Sequence, residues 1–208
     1  MSRGKFIVFE GIDGSGKTTV INSVNSYLES IGCSVFLTRE PTDNRVGSMI
    51  RKFIKGEGDY ELDERVIAAL FAADRLDHIL RPGGINEKLG AGVNVICDRF
   101  WLSSCAYQTG AFPMEYILEL NKGAMELVQP DLTVYLSVDV SVALSRVDAR
   151  GEEREHYESR ERLGKISRNY EKAIGIRKEA DNIVIVDASR DEAAILDEVS
   201  GLIKNIIS

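Results

Sequence analysis

The stretch that most constrains this chain runs from Phe6 to Thr19, where Phe6-Ile7-Val8-Phe9 leads directly into Gly11-Ile12-Asp13-Gly14-Ser15-Gly16-Lys17-Thr18-Thr19. An apolar run, a glycine-rich loop and a helix start, in that order, have the spacing of a phosphate-binding loop. The glycines let successive backbone N–H groups curl around a polyphosphate, Lys17 reaches its β/γ oxygens, and the Thr18 hydroxyl is suited to ligate Mg²⁺. A side chain at Gly11 or Gly16 would block the left-handed turns or the approach of phosphate to the backbone. A guanidinium in place of Lys17 would be too broad for a point contact.

The chain has 208 residues, 44% of them hydrophobic, and no linker-like segment, so residues 1–208 are expected to form one domain with a full core. Its longest apolar run, Val66 to Ala73, is eight residues, far short of the ~20 that span a bilayer. A strand is expected right after Lys5, with no secretory signal before it, which suggests a cytoplasmic protein that engages no membrane. Cys33, Cys97 and Cys105 are odd in number and lack C-x-x-C spacing, which suits reduced thiols better than disulfides or a metal site; His78 and His156 are isolated in sequence. A net charge of −7 argues against wrapping nucleic acid and favours small ligands.

Further along, the periodicity predicts a helix over Thr18–Ile31, a strand over Ser34–Thr38, and helices over Val46–Lys55 and Asp63–Leu80. Arg39, at the carboxyl end of the second strand, fits an anion clamp or a solvated charge beside Glu40. In the helix opened by Asp63 and Glu64, the stripe Val66, Ala69, Leu70, Ala73, Leu76 and Leu80 is expected to face the core. Phe71 and Arg75 are neighbours at i and i+4, either a flat platform for a base with a donor at its edge or ordinary core. A third strand, Val93–Cys97, ends in Asp98-Arg99-Phe100, where Asp98 reads as a metal-holding acid or as a cap for the helix Trp101–Gln108. A helix over Met114–Val128, a strand over Leu132–Val138, a helix from Ser141, a strand over Ile183–Val186 and a helix over Asp191–Ile207 continue the alternation. The charged stretch from Arg146 to Arg168 reads largely as a solvated helix. Gly151 interrupts it, leaving room for an arginine-bearing lid over a triphosphate.

Taken in order, these motifs resemble the thymidylate kinase family over almost the whole chain. Glu10-Gly-Ile-Asp13-Gly-Ser-Gly-Lys17-Thr-Thr is similar to the family's P-loop, Thr38-Arg39-Glu40-Pro41 to its second-strand motif, and Phe71 with Arg75 to its base-binding helix. Asp98-Arg99-Phe100, then Ser103-Ser104 and Ala106-Tyr107-Gln108, resembles its Asp-Arg-aromatic motif and the nucleoside-binding segment after it. The resemblance implies an α/β, three-layer P-loop NTPase fold: a parallel sheet of about five strands flanked by helices, with a mobile lid near residues 148–158. It implies Mg²⁺-dependent transfer of the ATP γ-phosphate to dTMP, giving dTDP, by a cytoplasmic homodimer. ATP would lie on Gly11 to Thr19 and Arg146, and Mg²⁺ on Thr18 and Asp98. Arg39, Arg51 and Arg99 would face the acceptor phosphate, Asp13 the sugar 3′-OH, and Phe71 the thymine ring. Arg75, Ser104 and Gln108 would meet the base edge, and Tyr107 would crowd the 2′ position. Lys17, Arg39 and Arg99 would act in catalysis with Arg150 or Arg154 from the lid. The chain departs from the pattern at Thr42-Asp43-Asn44-Arg45, where bacterial members commonly carry Gly-Gly-Thr-Pro.

Three other readings compete. A GTPase would need Asn-Lys-x-Asp, and Asn121-Lys122-Gly123-Ala124 lacks the Asp that pairs with guanine. A kinase could act on another acceptor, a deoxynucleoside or a different monophosphate, and the first would need a carboxylate base at the 5′-OH rather than three arginines. A non-catalytic binding protein is opposed by the intact set Lys17, Thr18 and Asp98.

Overall fold

The computed structural model describes residues 2–57, 61–110, 112–149 and 160–207. Five parallel strands, β1 (Phe6–Glu10), β2 (Val35–Arg39), β3 (Asn94–Asp98), β4 (Leu132–Ser137) and β5 (Ile183–Asp187), form one sheet in the order β2-β3-β1-β4-β5. β1 is buried along its whole length, as expected for the apolar run Phe6-Ile7-Val8-Phe9 in a parallel sheet covered on both faces, and the burial extends to Glu10. The chain leaves β1 toward β2 and leaves β3 toward β4, so the connections diverge between β1 and β3. In open α/β sheets, the carboxyl ends of strands at such a point form the ligand crevice. The P-loop follows β1 there, and Asp98-Arg99-Phe100 follows β3.

Nine helices are described: α1 (Lys17–Ser30), α2 (Arg45–Ile54), α3 (Glu64–Leu80), α4 (Ile85–Gly90), α5 (Trp101–Gln108), α6 (Met114–Leu127), α7 (Val140–Asp148), α8 (Arg160–Arg177) and α9 (Glu192–Ile207). α1 packs on α9, while α3, α5 and α6 pack on one another and α8 packs along α5. Among the described residues, no helix is long and apolar enough to cross a membrane.

Two features depart from the periodicity. α3 buries Ala68, Ala72, Asp74, Arg75, His78 and Ile79, not the expected stripe, and Val66 and Leu80 are 45% and 59% exposed. The reason is that its inward polar groups are all paired. Asp74 accepts from Thr42 N and Oγ1 at 2.7 and 2.6 Å, His78 bonds Thr38 and Glu40, and Arg75 bonds Glu40. Satisfied polar groups are tolerated inside, so hydrophobicity alone points to the wrong face. The Asp74 bonds also anchor the segment after Pro41 that departs from the family pattern, and Asn44 adds a bond to Asp77. α8, in the charged stretch, likewise buries Leu163, Ile166, Tyr170, Ala173 and Ile174.

Candidate active site

The P-loop is built by backbone geometry. Gly14 has φ 80° and Gly16 φ 93°, values that favour glycine, and a Cβ on Gly14 would lie 2.3 Å from the Ala143 carbonyl of α7. Lys17 folds back over the loop, its Nζ donating to Gly11 O at 3.0 Å and Ile12 O at 3.1 Å. Burial, then Arg99, pushes the Lys17 ammonium down to about 8, against the opposing pull of Asp98, Asp13 and Glu10. In the free protein, Lys17 therefore loses its proton as pH rises through about 8. The kcat/KM for ATP should fall above that pH, while the limb in kcat sits higher because bound polyphosphate favours the charged amine. Coincident limbs in the two profiles would overturn this assignment.

Thr18 and Thr19 are exposed at the start of α1. Asp98, at the end of β3, has a buried Oδ1 with no hydrogen-bond partner. It does not cap α5, whose N-cap position carries no side-chain bond. The amides of Phe100 and Ser103 donate instead to Glu10 Oε1 at 2.8 and 3.2 Å. An orphaned carboxylate oxygen beside a phosphate loop fits a divalent cation or its water.

Arg99 is the hub between the loop and the pocket beside it. Its φ of 72° is the single positive value at a non-glycine among the described residues. NH2 lies 2.5 Å from Asp13 Oδ1, and NH1 donates to Gly11 O, Ser103 Oγ and Tyr170 Oη at 3.2–3.3 Å. The guanidinium also lies 4.8 Å from the Tyr107 ring centre, while the Tyr107 hydroxyl donates to Asp13 Oδ2 at 2.8 Å. Burial would raise the Asp13 carboxyl, but Arg99, Lys17 and Tyr107 outweigh it and hold it below the usual range. Glu10 lies beneath, fully buried, accepting from Ser103 Oγ at 2.6 Å and Tyr170 Oη at 2.9 Å; burial raises its carboxyl.

A cavity of about 240 Å³ opens beside this hub. Asp13, Arg99 and Tyr107 line it, as do Phe71, Arg75, Ser104 and Gln108. The sequence candidates for sugar and base thus share one pocket. Arg75 is 1% exposed and held on three sides. Its Nε donates to Glu40 Oε2 at 2.8 Å, and NH1 donates to Ser104 Oγ at 3.1 Å and to Asn121 Oδ1. The buried Gln108 carboxamide has an oxygen with no partner.

Arg39 and Arg51 are brought together, but outside the cavity lining. Both reach the exposed Asp43 carboxylate, at 3.0 and 2.8 Å, and Arg51 also donates to Pro41 O at 2.7 Å. The Arg39 hydrogen bond holds the Asp43 carboxyl low. Arg146 donates to Ala188 O at 3.0 Å, beyond the end of β5. Arg150 and Arg154, with most of the expected lid, lie outside the described residues.

Several participants gave no sequence signal of their own. Tyr170 and the cavity-lining Ile166 sit in the charged stretch, although Leu163, Ile166, Tyr170 and Ile174 carry helical spacing that marks an inward face. Arg162 also lines the cavity. His78, isolated in sequence, has its ligand atoms within 4.8 Å of those of Glu40 and Cys97. Both ring nitrogens are already hydrogen-bonded and Arg75 already pairs with Glu40, so the trio reads as a closed polar network rather than a metal centre.

The family model for thymidylate kinase matches residues 9–199. A thymidylate kinase from Geobacillus sp. (strain WCH70) is 36% identical over 96% of this chain and 99% of its own length. Those from Ligilactobacillus salivarius and Mesoplasma florum are 35% and 34% identical, over 98% and 95% of this chain and 99% and 94% of their own lengths.

Proposed function

The chain belongs to the thymidylate kinase family, whose reaction is ATP-dependent phosphorylation of dTMP to dTDP, and from that premise we propose how its residues divide the work. The observation that carries the assignment is that Asp13 belongs to the P-loop and also lines the cavity, with Arg99 against it. A polyphosphate on the loop and a monophosphate in the cavity would meet at that wall.

In this reading ATP lies on residues 11–19, with Arg146 toward its adenosine end. Thr18 and Asp98 would hold Mg²⁺, which when bound supplies positive charge to the phosphates. Asp13 accepts from the sugar 3′-OH, and Tyr107, fixed by its bond to Asp13, fills the space a 2′-OH would need. Phe71 stacks on thymine, Arg75 donates to O4, and Gln108 offers its unpartnered carboxamide to N3. Ser104 acts on the base edge through Arg75, whose NH1 it accepts. Arg99, Arg39 and Arg51 offset the repulsion between acceptor phosphate and ATP, and a lid arginine, Arg150 or Arg154, joins them. A phosphate dianion is already a competent nucleophile, so positioning and electrostatics suffice without a general base. The test is a panel of nucleoside monophosphates with Mg-ATP, scored by ADP release. Turnover of dCMP or a purine monophosphate equal to that of dTMP would defeat it.

Asp43 provides a chain-specific test of the acceptor end. It occupies the two arginines assigned to the phosphate, through exposed ion pairs that are worth little and easily exchanged. Asp43→Asn should lower the KM for dTMP roughly two- to fivefold at low ionic strength, and less at high salt. An unchanged KM at both ionic strengths would place the acceptor phosphate elsewhere.

The exposed side of α3 supports a homodimer. Val66, Ala69, Ala73 and Leu80 form one solvent-facing stripe, with small residues at its middle where a second copy of the helix can approach closely. Ala73→Arg should shift the sedimenting species to a monomer; an unchanged mass would remove α3 from the interface.

A further inference from the structure

Asn121 belongs to α6, a helix with no residue in the cavity lining, and in sequence it reads only as part of a failed guanine-binding motif. It is 1% exposed, and its side chain serves two partners. Nδ2 donates to Ile117 O at 2.8 Å, which fixes the carboxamide against its own helix. Oδ1 is thereby turned toward Arg75 and accepts from NH1.

Counting the donors of Arg75 shows what this does. A guanidinium has five N–H groups in a rigid fork. Nε is taken by Glu40, and NH1 by Ser104 and Asn121. NH2 lies 2.6 Å from Glu40 Oε2, which engages one of its two N–H groups, so in this cavity-lining residue free donor capacity remains on NH2 alone. With both NH1 positions filled, the fork cannot rotate to offer a ligand a second donor pair. Asn121 is also neutral, so it adds no second negative charge beside Glu40 that would drain the field Arg75 presents to a base oxygen.

We infer that Asn121 is a positioning residue for base selection: through NH1 it fixes Arg75 so that one N–H, and no more, faces the exocyclic group at position 4 of the pyrimidine. This rests on the assignment of Arg75 to that edge. Without Asn121, NH1 regains a free N–H and the guanidinium can pivot about its Glu40 contact. A water can then enter between the guanidinium and an amino group at position 4 and accept from both, an accommodation that the fixed fork denies.

The test compares kcat/KM for dTMP and dCMP in Asn121→Leu, Asn121→Asp and Arg75→Ala. Asn121→Leu removes the acceptor at similar volume and should cut the dTMP/dCMP ratio by roughly tenfold or more, chiefly through KM for the acceptor, with the KM for ATP unmoved. Asn121→Asp keeps an oxygen facing NH1 but brings the second negative charge that the neutral carboxamide avoids and loses the bond to Ile117, so its ratio should fall between those of the parent and Asn121→Leu. If Asn121→Leu does not fold, Asn121→Ser, too short to reach NH1, carries the same expectation. A purely structural Asn121 would lower thermal stability and leave the ratio intact, and that result overturns the inference if Arg75→Ala does relax the ratio. A ratio unmoved in Arg75→Ala as well would instead overturn the base-edge assignment on which the inference stands.

Discussion

Lys17→Ala should lower kcat by about 10²- to 10³-fold, because its buried ammonium neutralises charge that grows on the transferred phosphoryl group. The KM for ATP should rise far less, since the loop amides still hold the phosphates. In the free protein Nζ also ties down the carbonyls of Gly11 and Ile12, so the substitution releases two loop contacts along with the charge. Thermal stability separates the two effects. A variant that melts close to the parent yet turns over slowly has lost catalysis rather than the loop. Near-parental kcat would show that the loop does not hold the transferring phosphate.

The second large effect is base selectivity. Thymine offers an acceptor at O4 and a donor at N3, whereas cytosine offers an amino donor at position 4 and a bare N3. Arg75 is 1% exposed and its free capacity is donor only, so cytosine would set donor against donor without water to mediate. Unpaired groups in such a site reject an analogue by ~10⁴ or more, while the thymine methyl is worth only about 10- to 200-fold over uracil. The expected order is dTMP, then dUMP, with dCMP far behind. Arg75→Ala should erode the discrimination against dCMP and leave ATP binding alone, and Phe71→Ala should weaken all pyrimidine acceptors alike. A parent enzyme that accepts dCMP as readily as dUMP would remove Arg75 from the base edge.

The P-loop and the strand-helix alternation were legible because each is written locally: glycines where φ is positive, apolar runs where strands are covered on both faces. Phe71, Arg75, Ser104 and Gln108 could be nominated by motif, and the fold does bring them to one cavity. The residues that hold them could not, because their partners are distant in the chain. Glu40 meets Arg75 across 35 residues, Asn121 meets Arg75 across 46, and Tyr170 meets Glu10 across 160. The same cause misleads at α3, where the apolar stripe marks the wrong inward face until the distant partners of Asp74, Arg75 and His78 are known. Arg39 and Arg51 could be nominated, but their convergence on Asp43 depends on how the segment after Pro41 is tied to α3, which only the fold reveals.

The strand order also governs when the sheet can be assembled. β1 is synthesised first, yet Phe6 pairs with Val95 and Ile7 with Leu132, so its two neighbours emerge long after it. At ~5–20 residues per second, the strand that ends up buried along its whole length waits on the order of 6–25 s for its second partner. The nascent chain therefore carries an unpaired aggregation-prone segment through much of its synthesis, and its folding rate is set by distant pairings rather than by its helices.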